Sequence, residues 1–255
     1  MGHLWAVVLR LLMQLTEPGT PLKPLPAKRN LNVTMRGIKK AVQSMGGRLG
    51  LITDQPPRTT GFEHGSTWYD RAYEDVEEYH RPYAQSRYYF LWTVIADRVR
   101  RSSFRRVLEI GCGPGQLAAF LLDQGVEQYA GLDFSPVAVE MARTNVPGAR
   151  FVVDDARTSS IYTEFEYDVI ICTEVLEHIQ DDLLVLSRFP AGTRCLCTVP
   201  NFQYESHVRH FRNTSEVAAR YAPFFGDFDV AGFKGPQSAA QMYFLFDGVR
   251  KDSRA

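Results

Sequence analysis

The stretch that most constrains the fold of this chain is VLEIGCGPGQL, residues 107–117. Three of its first four residues are apolar strand formers, as expected of a strand that is covered on both faces. Three glycines at alternate positions, Gly111, Gly113 and Gly115, then allow a sharp turn and leave no side chain between the backbone and a ligand. From Gln116 onward the residues favour a helix. The stretch predicts a buried strand, a glycine turn that faces a ligand, and the start of a helix.

The spacing of these glycines does not fit two common nucleotide-binding motifs. The dinucleotide motif G-x-G-x-x-G/A fails at its third position, which is Gln116, and no Lys-Ser/Thr pair follows as a P-loop requires. Instead Glu109 closes the strand, where a carboxylate suits a cationic ligand better than a pyrophosphate. A strand–turn–helix with incidental glycines is the alternative interpretation, and the motifs found further along the chain argue against it.

From Arg106 the predicted strands and helices alternate, a pattern typical of a parallel sheet with crossover helices. The predicted strands are residues 106–110, 128–132, 150–153, 167–172, 193–199, 227–233 and 240–247. The predicted helices are residues 115–124, 135–144, 180–188 and 215–222. The last two strands are expected to form a hairpin through residues 234–236. The fold class is therefore α/β, with a Rossmann-like seven-stranded sheet and helices on both faces.

Asp133 ends the second predicted strand, 18 residues beyond Gly115. An acidic side chain at this place can accept hydrogen bonds from both hydroxyls of a ribose, as it does in dinucleotide folds. The alternative is that Asp133 caps the helix predicted over 135–144, although Ser135 can serve as that cap. We therefore expect Asp133 to bind a ribose.

Two carboxylates and an imidazole follow the fourth predicted strand in the sequence TEVLEH. On a helix, Glu174, Glu177 and His178 stand at positions i, i+3 and i+4 and share one face. Such a group can bind a divalent cation or transfer protons. The alternative is that Glu177 and His178 only cap and orient the turn. The polar loop after the fifth strand carries His207, Arg209 and His210, and is where substrate contacts are expected.

The motifs E-x-G-x-G-x-G at 109–115, L-D-F-S at 132–135 and D-D-A at 154–156 together resemble the class I S-adenosylmethionine-dependent methyltransferases. The resemblance implies the methyltransferase form of the predicted sheet, with S-adenosylmethionine as cofactor. It also implies that Asp155 meets the adenine amino group, although Asp154 replaces the glycine that is usual before it. The implied cofactor-binding residues are Glu109, Gly111, Gly113, Gly115, Asp133, Phe134, Asp155, Ala156 and Thr173.

The segment T-E-V-L-E-H followed by P-N and H-V-R-H-F resembles one branch of this superfamily in particular. That branch includes the ubiquinone-pathway O-methyltransferases and the small-RNA 3′-terminal 2′-O-methyltransferases. In the RNA enzymes an E-x-x-E-H helix and a later histidine hold a divalent metal. By this resemblance a Mg or Mn site would be formed by Glu174, Glu177, His178 and His210, or less well by His207 in place of His210. The F-x-P-P-L segment of the RNA enzymes has no clear copy here.

The chain before the alternating region divides into two predicted parts. Residues 1–34 join an apolar run, too short for the ~20 residues of a membrane span, to a proline-rich linker, and are predicted to be a flexible leader. Residues 35–101 are predicted to form an N-terminal helical cap, and residues 102–255 the S-adenosylmethionine-binding core. Some of the cap's aromatic side chains are expected to line the substrate site: Trp68, Tyr69, Tyr73, Tyr79 and Tyr83.

Composition restricts the partners and the compartment. Lys+Arg and Asp+Glu balance at 29 each, so no net field attracts nucleic acid or an anionic membrane. The four cysteines lack C-x-x-C spacing, which favours reduced thiols in a cytoplasmic protein. Nothing in the sequence indicates an oligomeric state.

The sequence thus predicts a methyltransferase that acts on an oxygen or nitrogen of a small-molecule acceptor. Its expected catalytic residues are His178, His210 and Glu174, since an imidazole titrates near neutral pH and can accept the proton of the acceptor. Two alternatives stay open: a metal-dependent RNA 3′-terminal 2′-O-methyltransferase, and a cofactor-binding regulatory protein without catalysis.

Overall fold

The computed structural model of the chain describes residues 61–238 and 240–252. The predicted leader, residues 1–34, and the first part of the predicted cap, residues 35–60, lie outside the described residues. No helix in the described ranges is long and apolar enough to cross a lipid bilayer.

Strands and helices alternate from Arg106 onward, as the sequence predicts. The strands are β1 (Arg106–Ile110), β2 (Gln128–Asp133), β3 (Arg150–Val153), β4 (Val169–Thr173), β5 (Arg194–Pro200), β6 (Phe225–Lys234) and β7 (Met242–Arg250). The helices are α1 (Ser66–Asp75), α2 (Tyr89–Arg101), α3 (Gln116–Asp123), α4 (Pro136–Asn145), α5 (Ile161–Glu164), α6 (Asp182–Arg188) and α7 (Thr214–Tyr221). Short 3-10 helices cover Glu77–His80, Tyr83–Gln85, Leu176–His178 and Ala222–Phe224.

The seven strands form one sheet in the order β3-β2-β1-β4-β5-β7-β6. The first five strands are parallel, while β7 runs antiparallel between β5 and β6. The central strands β1 and β4 are almost wholly buried, as expected when helices cover both faces of a sheet. The predicted α/β fold with a seven-stranded sheet and a terminal hairpin is confirmed.

Alternate side chains of the central strands feed two hydrophobic cores, one on each face. Leu108 and Ile110 of β1 pack into the core that contains residues of α5, α6 and α7. Val107 of the same strand packs into the core that contains residues of α2, α3 and α4. This division follows from the period of two along a strand. It places helices on both faces and leaves the carboxyl edge of the parallel strands open for a site.

Candidate active site

A cavity of about 420 Å³ lies at the carboxyl edge of the parallel strands, within the size range of small-molecule sites. The turns after β1, β2, β3 and β4 and the loop after β5 each contribute lining residues, and α1 covers the opposite side. Ligands of parallel α/β sheets bind at this edge, next to the point where neighbouring strands connect in opposite directions. In this sheet that point lies between β1 and β4.

The three glycines of the first turn have different structural tasks. Gly111 and Gly113 line the cavity, whereas Gly115 does not. A side chain at Gly111 would place its Cβ 2.2 Å from Val175 Cγ2, so the turn after β4 could not pack there. Gly115 has a φ of 79°, and a Cβ on it would lie 3.1 Å from the Cα of Ala142. Gly115 therefore permits close packing of α3 on α4, and the structure does not place it at the predicted cofactor contact.

Asp133 is almost completely buried beneath the glycine turn. Its Oδ2 accepts a hydrogen bond from the Gly113 amide and its Oδ1 one from the Ser135 amide, each at 3.0 Å. Burial raises the pKa of this carboxyl to about 6. Ser135 is the N-cap of α4, because its hydroxyl accepts a bond from the Ala138 amide at 3.1 Å. Asp133 is thus not the cap of that helix and lines the cavity instead.

Glu109 is buried at the floor of the cavity and accepts a hydrogen bond from the Tyr129 hydroxyl. Burial, together with the charge of Asp133, raises the pKa of Glu109 to about 8. The carboxyl is therefore mostly protonated at neutral pH. A positively charged ligand group beside it would favour the ionised form.

We predict that this carboxyl makes the ligand-free protein less stable as the pH rises. Its pKa is raised above the ordinary value of 4.5 to about 8, so its contribution to stability is present below pH 4.5 and is lost as the pH rises through 8. Glu109→Gln has no such titration, and relative to wild type its free energy of unfolding should gain on the order of 3 kcal/mol between pH 5 and pH 8. Urea unfolding at the two pH values measures the difference. Glu127→Gln, at an exposed position, is the control, and parallel pH profiles of wild type and Glu109→Gln would contradict the prediction.

The turn after β3 places Asp155 and Ala156 in the cavity lining, with Phe134 from the turn after β2. Asp155 accepts bonds from the Arg157 guanidinium, the shortest at 2.7 Å, and these bonds lower the pKa of Asp155. Arg157 also donates to Glu63 at 2.8 Å, and Glu63 accepts a bond from the Gln180 amide at 2.7 Å. Glu63 and Arg157 thus tie the segment before α1 to the cavity rim. Neither residue belongs to a sequence motif, and no local pattern predicts their contact because they lie 94 positions apart.

The prediction that Glu174, Glu177 and His178 share one face of an α-helix is wrong. Glu174 has a φ of 55°, and only the three residues Leu176–His178 are helical, in a 3-10 turn. The physical reason lies in the neighbouring strand. The Glu174 amide donates to the Thr198 hydroxyl at 3.0 Å, and that hydroxyl donates to Glu174 Oε1 at 2.9 Å. These bonds hold Glu174 at the end of β4, after Thr173, and both residues line the cavity.

Glu177, His178 and His207 form a compact group in which the candidate ligand atoms lie within 4.8 Å of one another. Nδ1 of His178 lies 2.9 Å from the Ser206 carbonyl, and Nδ1 of His207 lies 3.0 Å from the Phe202 carbonyl. Because a carbonyl only accepts, each Nδ1 carries the proton and each Nε2 does not.

Glu177 has no exposed surface, and neither of its carboxylate oxygens has a hydrogen-bond partner in the part of the chain that the structure describes. Burial raises its pKa, and the charge of Glu174 raises it further. Burial lowers the pKa of His178 to about 3 and that of His207 to about 4. A buried carboxyl without a donor beside two oriented imidazoles is the donor set that a divalent cation requires. The residues present therefore fit a metal ion.

His207, rather than His210, is the loop histidine that the structure brings to Glu177 and His178. His210 is half-buried and does not line the cavity. The loop is fixed by the Val208 amide, which donates to the Glu177 carbonyl at 2.8 Å. His207, the residue just before Val208, therefore faces Glu177 and His178. Both His207 and His210 are candidates in the sequence, and the hydrogen bond between Val208 and Glu177 places His207 in the site.

Arg209 fixes the other side of this turn. It is buried, donates to the Leu176 and Ile179 carbonyls, and forms an ion pair with Asp182 at 3.3 Å. Arg209 lies in the loop predicted from the sequence to contact the substrate, but it does not line the cavity. It holds the backbone on both sides of Glu177 and His178.

Aromatic side chains from the described part of the predicted cap cover the cavity. Four of the five singled out in the sequence line it, namely Trp68, Tyr69, Tyr73 and Tyr79. The Tyr69 ring meets the His178 ring edge-on at a centroid distance of 5.8 Å. Tyr83 packs against Phe120 instead and donates to Asp123. The site is therefore a cleft with aromatic walls above a polar floor.

Comparison with known proteins shows the family to which the chain belongs. A family model described as a methyltransferase domain matches residues 78–224, which is more than half of the chain. The chain is similar to the ubiquinone biosynthesis O-methyltransferase of Vibrio cholerae, with 34% identity over 86 residues that cover 32% of this chain and 35% of the relative. It is also similar to the trans-aconitate 2-methyltransferase of Methylobacterium radiotolerans, with 30% identity over 155 residues that cover 58% of this chain and 57% of the relative.

Among solved structures, the fold is similar to that of magnesium protoporphyrin IX methyltransferase from Synechocystis with bound S-adenosylmethionine. The TM-score is 0.56 at 16% sequence identity, and the match covers 76% of this chain and 100% of that one. The chain spans only about a third of the length of the ubiquinone-pathway relative.

Proposed function

Because the chain belongs to the methyltransferase-domain family, we propose that it transfers a methyl group from S-adenosylmethionine to an oxygen or nitrogen of a small-molecule acceptor. The observation that carries this proposal is the cavity at the carboxyl edge of the sheet. It joins the predicted cofactor residues at the strand ends to a separate group of aromatic and imidazole side chains. We propose the cytoplasm as its compartment, which the four cysteines support, since all are buried and unpaired.

We propose that the cofactor binds in the half of the cavity that is lined by residues at the carboxyl ends of β1 to β4. Asp133 would bind the ribose hydroxyls, since its carboxylate lies directly below the glycine turn. Glu109 would ionise beside the cofactor's ammonium group, and Asp155 would bind the adenine amino group. Gly111, Gly113, Phe134, Ala156 and Thr173 complete this half of the lining.

The acceptor half of the cavity is the part lined by the aromatic side chains and by His178 and His207. Its composition favours a small molecule over RNA. Of the described residues that line the cavity, only Arg87 and Arg157 are cations, and Arg157 is already bonded to Asp155 and Glu63. An RNA end requires several cations to neutralise its phosphates. The aromatic walls instead suit a flat, largely apolar acceptor.

Methyl transfer requires that the acceptor lose a proton while its oxygen or nitrogen attacks the methyl carbon. The carbon–sulfur bond then breaks and its electron pair stays on sulfur. His178 is the proposed proton acceptor, because its Nε2 is unprotonated and Glu177 Oε1, 3.8 Å away, would stabilise the imidazolium. The aromatic cover excludes water and holds the acceptor in line with the methyl group.

The alternative of a cofactor-binding protein without catalysis is disfavoured by this polar group. Burying a carboxylate without a hydrogen-bond partner is costly, and a protein that only bound the cofactor would have no need of it. Incubation with S-adenosylmethionine and a panel of phenols and catechols, followed by mass spectrometry, tests the proposed activity. Absence of both cofactor binding and any methylated product would refute it.

We propose in addition that Glu177, His178 and His207 hold a divalent cation, in place of the set with His210 and Glu174 inferred from the sequence. When bound, such an ion would lower the pKa of an acceptor hydroxyl. The donor set of two imidazoles and one carboxylate suits Mn²⁺ better than Mg²⁺, which prefers oxygen ligands. This site is the feature that favours the metal-dependent 2′-O-methyltransferase as a second candidate function.

The prediction for this site is that Mn²⁺ stabilises the chelator-treated protein. A ligand at 100 times its Kd adds about 2.7 kcal/mol to the free energy of unfolding. For a protein of this size, that raises the Tm by roughly 5–10 °C. Glu177→Gln should show no such increase, whereas the exposed control Glu127→Gln should behave as wild type. An equal Tm with and without Mn²⁺ in the wild-type protein would exclude the metal and leave His178 as the base.

A further inference from the structure

Arg87 is a cation at the far end of the acceptor half of the cavity, and neither the sequence motifs nor the proposed mechanism uses it. Its Nε is buried and has no hydrogen-bond partner in residues 61–238 and 240–252. The Arg87 Nε forms an ion pair with Glu78 Oε1 at 3.7 Å, which is beyond hydrogen-bond distance. The guanidinium lies over the ring of Tyr88 at 5.7 Å. A half-buried guanidinium in this position has hydrogen-bonding capacity left over.

Glu78 does not require this guanidinium as a partner. Its Oε1 already accepts bonds from the Ser86 hydroxyl at 3.0 Å and from the Arg87 amide at 2.7 Å. Its Oε2 lies 3.6 Å from the guanidinium of Arg81. The ion pair with Glu78 therefore leaves the Nε–H of Arg87 without a hydrogen bond in the described part of the chain.

A continuous aromatic wall connects Arg87 to the histidine pair. The rings of Tyr88 and Tyr243 are 5.9 Å apart, those of Tyr243 and Phe202 5.4 Å, and those of Phe202 and His207 5.6 Å. Burial raises the pKa of the Tyr243 phenol, and the charges of Glu174 and of Arg87 act on it with opposite signs. Tyr243 thus lies between the polar floor and the guanidinium. One flat ligand lying along this wall would meet the histidines at one end and Arg87 at the other.

The distribution of charge along the cavity determines which end of such a ligand lies at Arg87. The strand-end half of the cavity is lined by carboxyl groups that include Asp133 and Asp154. Because Arg157, the other cation of the described lining, is already bonded to Asp155 and Glu63, an anionic ligand group would be attracted mainly to Arg87. Arg81, 3.6 Å from Glu78 Oε2, offsets the charge of Glu78. The Arg87 guanidinium then balances one negative charge of a ligand and not two, which favours a carboxylate over a phosphate.

We infer that the acceptor is an aromatic carboxylic acid, with its carboxylate bound by Arg87 and its methylated group at His178 and His207. This inference rests on the proposed function and specifies the substrate class of the same site. Arg87 is then a specificity-determining residue. A carboxylate held by a guanidinium fixes one end of the acceptor and so sets which atom faces the methyl group.

The test uses the full chain with saturating S-adenosylhomocysteine, and compares by calorimetry the binding of 3,4-dihydroxybenzoate with that of its methyl ester. Wild type should bind the acid roughly 10- to 100-fold more tightly than the ester. Arg87→Met should lose this preference, with ester binding unchanged, and Arg87→Lys should keep part of it. Arg101→Met, at an exposed position outside the cavity lining where the guanidinium bonds to Asp97, is the matched control.

The outcomes separate this inference from the function on which it rests. Binding of S-adenosylhomocysteine in each variant reports that the protein is folded and that the cofactor site exists. If the cofactor product binds but the acid binds no better than the ester in wild type, including the case in which neither binds, the inference is overturned and the proposed function stands. If Arg87→Met retains the full preference, another residue binds the carboxylate and Arg87 has no role in specificity. If S-adenosylhomocysteine itself fails to bind to wild type, the proposed function fails and this inference fails with it.

Discussion

Replacing His178 by alanine is expected to lower kcat about 10²- to 10⁴-fold, the usual contribution of a positioned general base. The imidazole is held by the Ser206 carbonyl, which leaves Nε2 to accept a proton beside Glu177. The Kd of the cofactor should change little, because the strand-end residues proposed to bind the cofactor are retained. Single-turnover kinetics with a methylated probe and calorimetry with S-adenosylmethionine measure the two effects separately.

The matched control is His80→Ala, since His80 is exposed, bonds only to a backbone carbonyl and lies outside the cavity lining. Comparison of two further variants tests the geometry of the loop. His207→Ala should lose more activity than His210→Ala, because His207 is the histidine within reach of His178 and Glu177. The reverse order would return His210 to the site and show that the loop rearranges when ligands bind.

Replacing Asp133 by alanine is the second change with a large expected effect, and it acts on the cofactor rather than on catalysis. Loss of hydrogen bonds to the ribose should cost on the order of 1–3 kcal/mol, which weakens binding about tenfold or more. The carboxylate also accepts the amides of Gly113 and Ser135, so the alanine variant loosens the turn as well. Calorimetry with S-adenosylmethionine gives the change in Kd.

Asp133→Asn separates these two contributions, because the amide keeps the size of the side chain and one acceptor oxygen. Asp229→Ala, at an exposed position on β6, is the control for removal of a carboxylate elsewhere. An Asp133→Ala protein that remains folded and binds the cofactor as tightly as wild type would remove Asp133 from the cofactor site.

The sequence determined the fold and the edge of the sheet at which the cavity lies. Both follow from local patterns: the buried strand before Gly111, the glycine turn, and the regular alternation of strands and helices. Strand periodicity and positive-φ turns depend on residues within a few positions of one another, so a linear sequence contains them. The position of Asp133 after β2 follows in the same way.

Only the tertiary structure decided which side chains meet in the acceptor half. The helical face predicted for Glu174 and Glu177 fails because Thr198, on the neighbouring strand, holds Glu174 in a left-handed conformation. The choice of His207 over His210 depends on a backbone bond between Val208 and Glu177. Each of these contacts joins residues more than 20 positions apart, and no periodicity or spacing in the sequence records such a contact. Arg87 is a further case, because its unused Nε becomes visible only when the burial and the partners of its neighbours are known.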